Sequence, residues 1–278
     1  MLTELYGKGG HVCQPARDGE IRCPLIVRPT SEDVITGHLC LVLRSLNPRW
    51  WLPDLLNTAL GAPRFRRQVF RRLRIEPWQN RKKFPRELLP WREGSTQVDL
   101  TITWENPPTT VFIETKLGAD LARKVAGDTG DSGYPSDQLI RNIRVGLWEC
   151  GWYRRRPLFD LPPSDFVMIL LRPQRGHELV KRYRDPEQVR TAIPRGSQLA
   201  GLPYTPFLGE ASFADVAAIL DRNQCWFSRS ERVLSRTMVQ FFNGRTATIR
   251  RHSEVQHTRV TNVRLSNRDS HLAPLVPT

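Results

Sequence analysis

The stretch Val98-Asp-Leu-Thr-Ile-Thr-Trp-Glu-Asn-Pro-Pro-Thr-Thr-Val-Phe-Ile-Glu-Thr-Lys-Leu117 constrains this chain more than any other, because it reads as two strands and a tight turn with a carboxylate on each arm. In the first arm Val98, Leu100, Ile102 and Trp104 alternate with Asp99, Thr101 and Thr103, the period of two that marks a strand. The second arm is a β-branched and aromatic run, and Asn106-Pro107-Pro108 supplies the turn. With a loop of Glu105 to Pro108, the register sets Asp99 directly opposite Glu114 on one face of the hairpin. Lys116, two residues further on, shares that face. A loop one residue longer or shorter would send Asp99 to the other face.

Like charges directly opposite each other destabilise a sheet unless something positive sits between them. A divalent cation is one answer. Mg²⁺ takes one or two carboxylates from protein and completes its shell with water and substrate phosphate. A lysine beside it can orient or deprotonate the attacking water, or offset charge on the phosphate in the transition state. The bland alternative is a solvent-facing polar side of the hairpin with an incidental Glu/Lys pair.

The pattern of Asp99, fourteen intervening residues, then Glu114-Thr115-Lys116 resembles the PD-(D/E)XK nuclease superfamily. The resemblance extends roughly from Thr30 to Arg172 and follows the family's order of a first helix carrying an acid, the catalytic hairpin, a crossover helix and a further strand. Val98 stands where the name-giving proline often sits. The resemblance implies an α/β fold with a restriction-endonuclease-like core, a mixed central sheet flanked by helices. It also implies metal ligation by Asp99 and Glu114 with the backbone carbonyl of Thr115, a catalytic role for Lys116, Mg²⁺ or Mn²⁺ as cofactor, and hydrolysis of DNA phosphodiesters. By the same analogy the setting is prokaryotic restriction, defence against invading DNA, or repair.

The flanking segments add candidates. Pro29-Thr30-Ser31-Glu32-Asp33, followed by Ile35, Leu39, Val42, Leu43 and Leu46, reads as a capped amphipathic helix. Glu32 falls on its apolar face, where burial is costly unless a positive group meets it, and it resembles the family's helical acid. Alternatively Glu32 and Asp33 only complement the helix dipole. Downstream, Ser136 to Trp148 reads as the crossover helix, with Leu139, Ile143 and Leu147 on one side and Gln138 and Arg141 on a neighbouring face. Several branches of the superfamily place a Gln at the start of this helix to line the site, often with a Tyr four residues later; Gln138 resembles the first, and Asn142 stands in the place of the second. Asp165 to Arg172 reads as a strand buried on both faces.

Charge points toward a polyanionic substrate. The formal net charge is +14 and the isoelectric point about 10.3, a field that attracts nucleic acid or anionic membrane. Arg64 to Arg92 holds eleven basic residues against Glu76 and Glu87. Arg66, Arg67, Arg71, Arg72, Arg74, Arg81, Lys82 and Lys83 are its candidate phosphate contacts, joined by Arg141 and by Lys124 in the Gly- and Asp-rich loop 118–135. A second reading makes Phe65, Val69 and Leu73 the inner stripe of a helix whose solvated face carries Arg66, Arg67, Arg71 and Arg74.

The five scattered cysteines argue for a reducing, cytoplasmic setting, and the His11-Val-Cys13, Cys23 and His38-Leu-Cys40 spacings match no zinc template. No 18-residue apolar run or secretory signal appears, so membrane spanning and export are not expected. The expected organisation is an N-terminal arm at 1–28, a nuclease core at 29–175, and a basic accessory region at 176–278 for DNA grip or partner docking. DNA is the expected partner, and a homodimer or a partner protein in a larger complex fits the same reading. Two alternatives stand beside it: a catalytically silent DNA-binding or assembly subunit on the same fold, and a ribonuclease using the same residues.

Overall fold

The computed structural model describes residues 32–81, 84–91, 94–118, 121, 134–153 and 162–244. The N-terminal arm, Lys82, Lys83, Lys124 and the tail from residue 245 lie outside the described residues.

A five-stranded sheet carries the fold in the order β1-β2-β3-β4-β5. Its strands are β1 (Arg71–Asn80), β2 (Gln97–Glu105), β3 (Thr109–Thr115), β4 (Asp165–Arg172) and β5 (Leu208–Ser212). The first three form an antiparallel meander, while β3, β4 and β5 run parallel, so the sheet is mixed. The parallel strands read as near-continuous apolar runs because helices cover both faces. Val111, Ile113, Val167, Ile169 and Leu171 enter one core; Phe112, Phe166, Met168 and Leu170 enter the other.

The first core lies beneath α1 (Glu32–Ser45), α2 (Pro48–Leu60), α6 (Phe213–Arg222) and the C-terminal helix α7 (229–244). The second lies beneath α3 (Gln138–Glu149), α4 (Glu178–Tyr183) and α5 (Pro186–Ala192). Asn47 caps α2 by accepting from Arg49 N, Pro48 follows where no intrahelical N–H is needed, and Gly61 ends the helix at φ 70°, a left-handed turn that favours glycine. Asp137 caps α3: its Oδ1 accepts from Ile140 N at 2.9 Å and its Oδ2 from the Tyr183 hydroxyl at 2.5 Å. Burial pushes the Asp137 carboxyl above its usual range, against those hydrogen bonds.

Two expectations change here. The helical reading of residues 65–74 fails, because Arg71 onward forms edge strand β1, in which Leu73 and Ile75 alternate with exposed Arg72 and Arg74. Pro77 is tolerated because an edge strand leaves one side of its ladder unpaired. The boundary after residue 175 is also no break in the packing. β5 pairs directly with β4, and Phe213, Val216 and Phe242 share a core with α1 and α2, so residues 176–244 complete the sheet and its cover. No helix among the described residues is long and apolar enough to cross a membrane.

The seam between β5 and α2 is tight enough to test. A Cβ at Gly209 would collide with the Ala59 carbonyl. Gly209→Ala should lower unfolding free energy by about 1–3 kcal/mol in a denaturant titration.

Candidate active site

The hairpin register is the one that the loop length implies: Trp104 pairs with Thr109 and Leu100 with Ile113. The backbone ladder ends at that pair, and Val98 and Leu100 enter opposite cores, so strict alternation stops at Asp99 and its side chain, not a ladder bond, meets the second strand. Both carboxylates are buried, at 3% and 0% exposure, Glu114 on the face that α3 covers. Each is held by a fixed donor. Asp99 Oδ2 accepts from Thr115 N at 3.0 Å, and Glu114 Oε2 accepts from Asn142 Nδ2 at 2.9 Å.

Lys116 joins the group at the point where β3 ends. Its ammonium lies 2.9 Å from Glu114 Oε1 and donates to Glu32 Oε2 at 3.1 Å, while its backbone N–H donates to Leu171 O at 2.8 Å. The other oxygen of Glu32 accepts from Leu117 N at 3.1 Å. Glu32, in the first turn of α1, therefore reaches the strand end from one layer while Asn142 reaches Glu114 from the other. Burial favours the neutral amine at Lys116, but Glu114, Glu32 and Asp99 outweigh it and hold the group above the usual lysine range.

Asn142 was the residue that sequence reasoning passed over. It is fully buried, and its Oδ1 has no hydrogen-bond partner. Its signal was available: it lies one helical turn after Gln138, at the position where the resembling family often has tyrosine. Helix α3 returns the chain between parallel strands, so its N-terminus points toward the strand ends, where Gln138 N donates to Leu121 O. Four residues of helix rise about 6 Å and two residues of strand about 6.6 Å, which sets Gln138 level with Lys116, at the rim. Among the described residues its side chain makes no hydrogen bond to the carboxylate group.

The basic residues separate into two ends of the sheet. Arg71 pairs with Glu105, six residues along β2 from Asp99, or about 20 Å away. Arg71, Arg72 and Arg74 are exposed at that far end, where Arg72 also pairs with Glu105, and Arg66 is exposed shortly before β1. Arg67 donates to Asn223 Oδ1 at 3.0 Å and lies over the stacked rings of Trp50 and Trp226. Arg81 follows β1, its guanidinium paired with Glu149 at the C-terminal end of α3 and packed over Phe112. Arg141 donates to the carbonyls of Gly94 and Ser95. These are the positions of the described basic candidates; Lys82, Lys83 and Lys124 lie outside the described residues. Charge counting along a sequence does not distinguish the two ends of a strand.

Among the described residues no group of three or more His, Cys, Asp or Glu side chains that could hold a metal ion is found, and Lys116 bonds to both Glu32 and Glu114. Cys40 and Cys150 are buried and Cys225 is exposed. No known protein family, curated protein or solved structure matches this chain.

Removing the ammonium leaves buried carboxylates uncompensated. Lys116→Met should cost about 3 kcal/mol near neutral pH, the lower end for a broken buried pair because Glu32 is part-exposed. A raised pKa contributes stability that is complete below the ordinary value of 10.5 and fades as pH rises through the folded value. The gap between parent and variant should therefore close above about pH 10.5 in urea titrations across alkaline pH.

Proposed function

We propose that this chain is a metal-dependent nuclease that hydrolyses DNA phosphodiesters at the end of β3. The observation that carries the reading is the meeting of Asp99, Glu114 and Lys116 at one strand end, each with its own fixed partner. Two buried carboxylates on adjacent strands, both acting on Lys116, have no evident structural need to lie at one strand end, and like charges so placed are destabilising. The order of α1, the β2–β3 hairpin, α3 and β4 supports a restriction-endonuclease-like core, since it is the order that the resemblance calls for.

The donor set fits a hard divalent cation: oxygen ligands, one or two of them carboxylates, and room for the substrate to supply the rest. Asp99, Glu114 and the Thr115 carbonyl would hold it. When bound, Mg²⁺ or Mn²⁺ supplies an activated water and shields phosphate charge.

The chain's own residues do the remainder. Thr115 N and Asn142 fix the two carboxylates, as outer partners of metal ligands do. Glu32 anchors the Lys116 ammonium, which is placed to oppose negative charge that grows on the phosphate in the transition state. Gln138 stands at the rim of the same end.

The second reading, a silent nucleic-acid-binding or assembly subunit, draws on one observation: Lys116 already satisfies Glu114 and Glu32 without a cation. Cleavage separates the two. The parent chain should cut supercoiled, linear or single-stranded DNA in Mg²⁺ or Mn²⁺ and not in chelator, with RNA assayed alongside. Lys116→Ala should lose about 10²–10³-fold in rate, and Asn142→Ala about 10–100-fold. Intact, salt-sensitive DNA binding with no cutting in any metal would favour the subunit, and preferential cutting of RNA would make the chain a ribonuclease.

A further inference from the structure

Beside Lys116 stands a cation that no part of the site so far accounts for. Thr115 pairs with Leu171, and Lys116 N donates to Leu171 O, so the next position on β4, Arg172, lies alongside Lys116 at the strand ends. Facing positions on paired strands share a face, so Arg172 follows Leu170 on the side of Glu114 and α3. Its Nε is buried without a hydrogen-bond partner. Other arginines differ: Arg64 pairs with Asp165, Arg81 with Glu149 and Arg175 with Asp215. Among the described residues no carboxylate pairs with Arg172.

An arginine stays charged at any ordinary pH, and a buried donor without an acceptor is costly unless a ligand supplies one. The charge balance of the site indicates the ligand. Three carboxylates and one ammonium leave Glu32, Asp99, Glu114 and Lys116 with two excess negative charges, which a divalent cation cancels. Arg172 is then the charge left over, and a phosphodiester carries one negative charge. The C-terminal ends of parallel strands are also where open α/β sheets bind ligands.

We infer that Arg172 is the phosphate-binding residue of this site, its guanidinium taking a phosphodiester adjoining the Lys116 end of β3. The inference rests on the nuclease reading but is tested by binding, without turnover. A fluorescent DNA duplex is titrated with parent, Arg172→Ala and Arg172→Lys, in chelator and separately with Ca²⁺, which takes the same oxygen ligands, over a range of salt, each protein's melting temperature being recorded. One phosphate contact contributes about 0.9 to the slope of log affinity against log salt. Arg172→Ala should bind about tenfold more weakly, with a slope smaller by about one. Arg172→Lys keeps the charge without the fork, so it should keep the slope while losing part of the affinity.

Unchanged affinity and slope in Arg172→Ala, with the parent binding normally, overturns the inference and leaves the nuclease reading standing. If Arg172→Ala melts early, Arg172→Lys decides. The inference then requires weaker binding from a lysine variant that melts like the parent, and parental affinity overturns it. A parent that binds no DNA overturns both.

Discussion

The Lys116 ammonium is the charge on which the rest of the site depends. Glu114 is wholly enclosed, Asp99 nearly so, and Asp99 is bonded to Thr115 N, the residue after Glu114. A carboxylate in such surroundings must find a positive partner or give up its own charge. Lys116 meets that need by bonding to Glu114 on its own strand and to Glu32 on α1, so one side chain ties the hairpin to the first helix.

The sheet makes this possible by holding each contributor on a rigid element. Asp99 and Glu114 are fixed by pairing within the hairpin, Asn142 by the crossover helix, and Glu32 by α1 in the opposite layer. The group therefore sits where both helical layers meet the strand end, and neither layer alone completes it. β5 and the helices after it belong to the same architecture, since they extend the parallel half of the sheet and close the core beneath α2. Such a frame suits chemistry that needs groups held in place before substrate arrives.

Much of this was legible because strand periodicity has an integer period. With Asn106-Pro107-Pro108 as the turn, the register from Trp104–Thr109 to Leu100–Ile113 follows from loop length alone. The α1 helix, with Glu32 in its first turn, was readable from its apolar stripe and acidic start. β1 was not, because Phe65, Val69 and Leu73 mimic a helical stripe while Leu73 and Ile75 also fit a strand, and only pairing with β2 decides between them. β5 was hidden by Gly209 and Glu210, which weaken an apolar run of five residues; Glu210 serves as acceptor for Gly176 N and His177 N. The partition of arginines between the two ends of the sheet is a tertiary fact, invisible until β1 is given a direction.

The central claim is that Asp99 and Glu114 are paired to hold a divalent cation. The direct measurement is a calorimetric titration of Mn²⁺ into the parent chain and into Asp99→Asn, without nucleic acid. The account predicts saturable binding to the parent that is lost in the variant while its melting temperature is kept. Equal binding by both proteins, or none by the folded parent with or without added DNA, would contradict it.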